Sequence, residues 1–210
     1  NGTFRGNGVK SVIGHPMGAQ VGYVADGIFK SQEEIDNHAT QEGAGLGRIR
    51  WKDLTGDGKI TEADQTWIYN PVPDFTYGFN IYLEYKNFDF TAFFQGVQGV
   101  DIISDLKKET DIWAGLNVGF LNKGKRLLDA WSTSNPDSNV PALSLSDNNN
   151  EKRVSSYWVE NGSYLKLRTI QFGYNFPRTI TSKLAMQRLR MYVSAQNLFT
   201  IKSSSFTGVD

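Results

Sequence analysis

The chain reads as all-β, built from long antiparallel strands, and three observations predict that class. From Phe75 to Tyr85 every second residue is apolar or aromatic, the two-residue period of an extended ribbon with unlike faces. A second ribbon starts at Phe88 after a turn at Asn87. The connections alternate between a few residues and several tens.

The elements follow in chain order. Within 27–74, "SQEEIDNH" predicts one short helix capped by Ser31, with Glu34 in the capping-box position. The glycines of "EGAGLGRIRW" stop it. "KDLTGDGKITEADQ" then has the spacing of a calcium loop of about twelve residues, which supplies oxygen ligands from positions 1, 3, 5, 7, 9 and 12. Those positions are Asp53, Thr55, Asp57, Lys59 through its carbonyl, Thr61 and Asp64. Gly58 serves the sharp turn and Ile60 the apolar plug. A neutral Thr55, and Asp64 in place of the longer glutamate, predict weak binding, roughly 10⁻⁴–10⁻³ M. The alternative is an Asp-Gly turn held by side-chain caps. With no helix pair to open, a bound calcium would be structural, locking the loop in one shape.

The hairpin occupies 75–100. Phe75, Tyr77, Phe79, Ile81, Leu83 and Tyr85 alternate with Thr76, Gly78, Asn80, Tyr82 and Glu84, and Phe88, Phe90, Ala92 and Phe94 continue the apolar set. Soluble strands usually run about five or six residues, whereas a tilted membrane strand needs about 9–11. The long loop 101–162 contains Trp113, Trp131 and Trp158. They could stack on sugar rings, or pack the loop, with Trp131 set against Leu127 and Leu128 of a short helix in "NKGKRLLDAW".

A strand pair follows in 163–200. Ile170, Phe172, Tyr174 and Phe176 share one face, and Leu165 and Leu167 run out of phase with them. That predicts a bulge near Arg168, or an upper portion clear of the membrane. In the last strand Leu189, Met191, Val193 and Ala195 oppose Arg190, Tyr192, Ser194 and Gln196. Arg190 and Tyr192 are candidate contacts for a solute on the polar side. Short turns alternating with long loops predict a transmembrane β-barrel, with the calcium loop and 101–162 extracellular and the apolar face on outer-membrane lipid. Alternation alone equally suits a soluble β-sandwich, so a calcium-dependent glycan-binding module is the alternative.

Composition narrows the classes. Lysine plus arginine and aspartate plus glutamate are both 22, so no global field points to nucleic acid. No cysteine is present for a disulfide, zinc site or thiol nucleophile. His15 and His38 lack the partner pattern of a triad or zinc site, and "GAGLG" lacks a phosphate-cradling spacing. An enzyme is not expected.

Five segments recur in order: "GHPMGAQVGYVADGIFKSQEEID", the run from "IRWKDLTGDGKITEADQ" to "FFQGVQG", "AWSTSNPDSNVP", "YWVENGSYLKLRTIQFGYNFP" and "YVSAQNLFT" with "TGVD". Together they resemble the C-terminal part of SusC/RagA-type TonB-dependent outer-membrane transporters of Bacteroidetes. The resemblance implies part of a 22-stranded barrel in the cell outer membrane. It implies a SusD-like surface lipoprotein as lid, TonB acting through an N-terminal part, and an oligosaccharide or peptide as substrate. It also implies that plug, coupling box and closing strand fall outside this sequence.

Overall fold

The computed structural model describes residues 4–6, 9–11, 14–111, 123–144 and 146–203. The chain divides into two compact units, one of 1–72, 101–160 and 207–210, the other of 73–100 and 161–206. In chain order come β1 (Phe4–Gly6), β2 (Val9–Ser11), β3 (Gln20–Gly22), β4 (Ala25–Ile28), helix α1 (Gln32–Asp36), β5 (Ile49–Trp51) and β6 (Thr66–Tyr69). The long strands β7 (Phe75–Tyr85) and β8 (Phe88–Gln98) follow, then β9 (Asp101–Ile103), helix α2 (Asp105–Asp111) and β10 (Val159–Asn161). Last are β11 (Tyr164–Asn175), helix α3 (Arg178–Thr181) and β12 (Arg190–Lys202). Among the described residues no helix is long and apolar enough to cross a membrane.

In the first unit, short strands pair two by two, and β5 lies at the centre. Ile49, Trp51, Ile28 and Phe29 are buried there. Ser31 caps α1 as the sequence predicts, accepting from the Glu34 N–H at 3.2 Å, while the Glu34 carboxylate takes the Lys30 N–H at 2.8 Å instead of that of Ser31. Strand β5 pairs with β4 alone, so its other edge must find partners elsewhere. Side chains supply them. Gln41 Oε1 accepts from the Trp51 N–H at 2.9 Å. Gln41 Nε2 and Asn149 Nδ2 donate to the Ile49 carbonyl at 2.8 and 2.9 Å. Glu151 Oε1 accepts from the Ile49 N–H at 3.0 Å.

Segment 101–160 is therefore more than a loop: it carries short elements of its own, and 149–151 completes the edge of β5. Burial pushes the Glu151 carboxyl above its ordinary range, against the pull of Arg48 at 3.0 Å and of the Ile49 N–H. The expected helix in "NKGKRLLDAW" is a short 3-10 turn over Lys125–Asp129, with Leu128 85% exposed. Trp131 packs instead against the Ile28–Ile49–Trp51 cluster. Its ring occupies the space beside Gly47, where a Cβ would come within 2.6 Å.

The second unit is one antiparallel sheet in the order β12-β11-β8-β7. Its rungs sort the side chains. Leu83, Phe90, Phe172 and Val193 lie in register, as do Ile81, Ala92, Ile170 and Ala195. At the tight turn the row is Tyr85, Phe88, Tyr174 and Met191. The register shifts between Leu167 and Thr169, so Arg168 is an extra residue relative to β8. That bulge returns Leu167 and Leu165 to the apolar face, opposite Phe94 and Gly96. Gly96 leaves room for the Tyr77 ring, which lies where its Cβ would be. Eleven residues in β7, at about 3.3 Å each and a tilt of about 40°, rise roughly 28 Å, enough for an apolar band of ~25 Å.

Among the described residues much of the apolar face lies open, although Ala92 and Leu167 on it are buried. Leu83 is 60%, Met191 62% and Val193 77% exposed. A soluble sandwich would bury that row under a second sheet. The fold is a partial transmembrane β-barrel wall.

Candidate functional site: the polar face of the sheet and the Asp-Gly loop

The opposite face of the sheet is polar. Glu84, Asp89, Gly173 and Tyr192 form one rung, and Tyr82, Thr91, Gln171 and Ser194 the next. Asp89 is the single acidic residue of β8, and an ionised side chain on a membrane-length strand is tolerated when it faces the interior and is paired. Its partner is Arg190, two strands away, with Nε 3.0 Å from Oδ2 and Nη2 2.5 Å from Oδ1. The fork spans β11 because Gly173 has no side chain; a Cβ there would stand 2.6 Å from Arg190 Nη2 and from both Asp89 oxygens. Asn175 Nδ2 adds a third bond to Asp89 at 3.2 Å, and Arg188 Nη2 donates to Asn175 Oδ1 at 3.3 Å. Arg190 is thus committed to the sheet. Tyr192 lies beside it, 5.1 Å from ring centroid to guanidinium, and is 59% exposed.

In the loop, Gly56 and Gly58 both adopt positive φ, 74° and 77°, as the sharp turn at Gly58 requires. Asp53 Oδ1 accepts from the Gly56 N–H at 2.6 Å, and Asp53 Oδ2 from the Gly58 N–H at 2.9 Å. Asp64 is completely buried. Its Oδ1 accepts from the N–H groups of Leu54 and Thr55, both at 3.0 Å, and its Oδ2 from that of Thr61 at 2.7 Å. Burial alone would raise this carboxyl's pKa, but the donors of Thr61, Thr55 and Leu54 outweigh it and bring it down to about 2.

Thr55 Oγ1 lies 3.2 Å from Asp53 Oδ1 and 3.0 Å from Asp64 Oδ1. A hydroxyl has one proton, so it satisfies only one of those acceptors. Three oxygens this close are spaced as ligands of one hard cation are. Asp57 stands apart, its Oδ1 accepting from the Lys59 N–H at 2.9 Å. Thr61 contributes to a capping box with Asp64. Among the described residues, no three acidic or imidazole side chains converge as a metal cluster. The donor set therefore fits calcium in part: Asp53, Thr55 and Asp64 meet, and the other three expected ligands do not join them through their side chains.

No family model matches the chain. It is 36% identical over 198 residues to the TonB-dependent receptor P3 of Formosa agariphila, covering 94% of this chain and 19% of that receptor. It is 29% identical over 213 residues to the TonB-dependent receptor SusC of Bacteroides thetaiotaomicron, covering 98% of this chain and 18% of SusC. Its fold matches the structure of the RagAB peptide transporter with a TM-score of 0.71 at 24% identity, over 97% of this chain and 21% of that one. The chain belongs to the TonB-dependent receptors. It spans about a fifth of the length of the curated relatives it matches.

The tryptophans of this receptor segment divide three ways. Trp113 lies outside the described residues. Trp158 is buried at 2% exposure, its indole N–H donating to the Glu151 carbonyl at 3.3 Å, and it reaches the surface only in the lining of a cleft. Trp131 serves the core cluster described above. In the first unit a cleft of about 360 Å³ is edged by Tyr69, Ile102, Asp105 and Lys108. Sequence reading missed Asp89, Gly173 and the Gln41–Asn149–Glu151 set. A lone aspartate in an otherwise uncharged β8 is the signal that could have flagged the first.

Proposed function

We propose that this chain forms part of the wall and outer loops of a TonB-dependent importer in the outer membrane. The whole receptor would carry oligosaccharides or peptides, with a SusD-like surface lipoprotein as its lid and TonB supplying energy through a segment outside this sequence. The observation that carries the reading is the uncovered apolar-aromatic face of a four-stranded sheet whose other face is polar and pinned by Asp89–Arg190. Lipid suits the first face and a hydrated interior the second. Of the side chains on that interior, Tyr192 is our candidate for solute contact, with Arg190 holding the wall beneath it. The membership of this chain among TonB-dependent receptors supports import as the activity, and the names SusC and RagAB support the choice of partner class.

In the same reading the loop 53–64 is a weak structural calcium site on the extracellular side. Asp53, Thr55 and Asp64 would supply its first oxygens and the Lys59 carbonyl another. The ion would hold the loop in one shape and take part in no transport step. Cell fractionation tests the main proposal. The whole receptor should partition with the outer membrane and migrate anomalously on gels until heated, and its deletion should abolish growth on a particular glycan or peptide source. Recovery as a detergent-free soluble protein would overturn the reading.

A further inference from the structure

From Asn161 to Phe206 the second unit carries seven basic residues and no acidic one. Part of this excess gathers where β7 turns into β8 and where β11 connects to β12. Lys86, Arg178 and Lys183 are all exposed there, and no ion pair is recorded for them among the described residues. The Lys86 ammonium sits 5.2 Å from the centroid of Tyr85, a residue of the apolar face, so this cation stands at the lipid side of the turn. The connection that carries Arg178 and Lys183 also exposes Ile180 at 42%, Leu184 at 54% and Met186 at 47%. Apolar side chains interleaved with unpaired cations suit the boundary between acyl chains and headgroups. The aromatic row Tyr85, Phe88 and Tyr174 next to them marks that depth, as aromatic girdles do. Arg188 differs, because its bond to Asn175 ties it to the polar face.

We propose that Lys86, Arg178 and Lys183 form a binding surface for anionic phospholipid headgroups at the short-turn end of the wall, with Ile180, Leu184 and Met186 set among the first acyl carbons. The inference rests on the barrel reading, and charge complementarity and continuity with the lipid-facing sheet select the occupant. The whole receptor, purified in neutral detergent and exposed to equal phosphatidylglycerol and phosphatidylcholine, should retain the anionic lipid preferentially by native mass spectrometry. Lys86→Gln/Arg178→Gln/Lys183→Gln should lower that preference by about tenfold or more. Lys166→Gln/Arg168→Gln/Lys202→Gln removes as many charges toward the other end of the strands and should leave it unchanged. Added salt should weaken the native preference, and glycerophosphate at matched concentration should not displace the lipid.

An unchanged preference in the first variant, or an equal loss in the second, would overturn the proposal. Displacement by glycerophosphate would replace it with a free-phosphate site. Heat-modifiable migration is recorded for each protein. A native receptor without it contradicts the barrel reading, whereas normal migration with no lipid preference contradicts this inference alone. If the triple variant does not fold, Lys183→Gln, on the exposed connection, should still show a smaller drop, and no drop would count against the proposal.

Discussion

Replacing Glu151 with alanine should open the first unit locally and leave the sheet intact. Glu151 Oε1 is the acceptor for the N–H of Ile49, a residue with no exposed surface, and Glu151 Oε2 pairs with Arg48 Nη1 at 3.0 Å. A buried N–H left without a partner costs about 1–3 kcal/mol. Removing one member of a buried ion pair costs about 3–5 kcal/mol. The two losses share one side chain, so the expected penalty is about 3–5 kcal/mol rather than their sum. Glu151→Gln keeps an oxygen for Ile49 and should cost less. Hydrogen exchange on the detergent-solubilised receptor reads this directly, since local opening sets the protection of each amide. Protection at Ile49 and Trp51 should fall at least about a hundredfold in Glu151→Ala, while amides of β8 and β11 keep theirs. Unchanged protection at Ile49, or equal losses in both units, would refute the claim that three side chains substitute for a strand beside β5.

On the polar face, Gly173→Val should push the Asp89–Arg190 fork apart and lower the amount of heat-modifiable receptor severalfold. Gly173→Ala should give a milder version, and normal levels in Gly173→Val would count against the fork. Calcium added to the receptor should bind with a dissociation constant of roughly 10⁻⁴–10⁻³ M by calorimetry, and Asp53→Asn should remove the heat. A native signal that survives Asp53→Asn would place the ion elsewhere. The low pKa of Asp64 predicts acid sensitivity of the loop. Its folded value is about 2 against an ordinary 3.8, so the stabilisation is complete above about pH 4 and is lost as pH falls through 2. Cleavage between residues 52 and 65 by an acid-active protease should rise over that window. Asp64→Asn should be cleaved readily at every pH.

The long strands were legible because a sheet with two unlike solvents writes its period into the sequence. The bulge at Arg168 was one of two readings open in the sequence, since Leu165 and Leu167 break phase with Ile170, and the register shift decides for it. The Asp-Gly loop was legible as a sharp turn at Gly58, and Asp53, Asp57 and Asp64 take the backbone N–H groups of the capped turn. The joining of 1–72 with 101–160 was not. It depends on Gln41, Asn149 and Glu151, polar residues that look like ordinary loop composition until they are seen filling the edge of β5. The Asp89–Arg190 fork was hidden for another reason: its members lie 101 residues apart, and only the register of three strands brings them together over Gly173. Packing was one of the two readings of Trp131, but its partners escaped because its space is defined by an absent side chain, that of Gly47.

The central claim is that one face of this sheet meets lipid and the other meets water, and the last strand tests it most directly. The chain contains no cysteine, so single cysteines at 191–196, in a receptor with any cysteine elsewhere replaced, can each carry a spin label after reconstitution in bilayers. The account predicts that labels at Met191, Val193 and Ala195 collide with oxygen dissolved in the lipid. Labels at Tyr192, Ser194 and Gln196 should collide instead with a water-soluble nickel chelate, giving a strict two-residue alternation. Equal access of the chelate to both sets, or a reversed alternation, would contradict it.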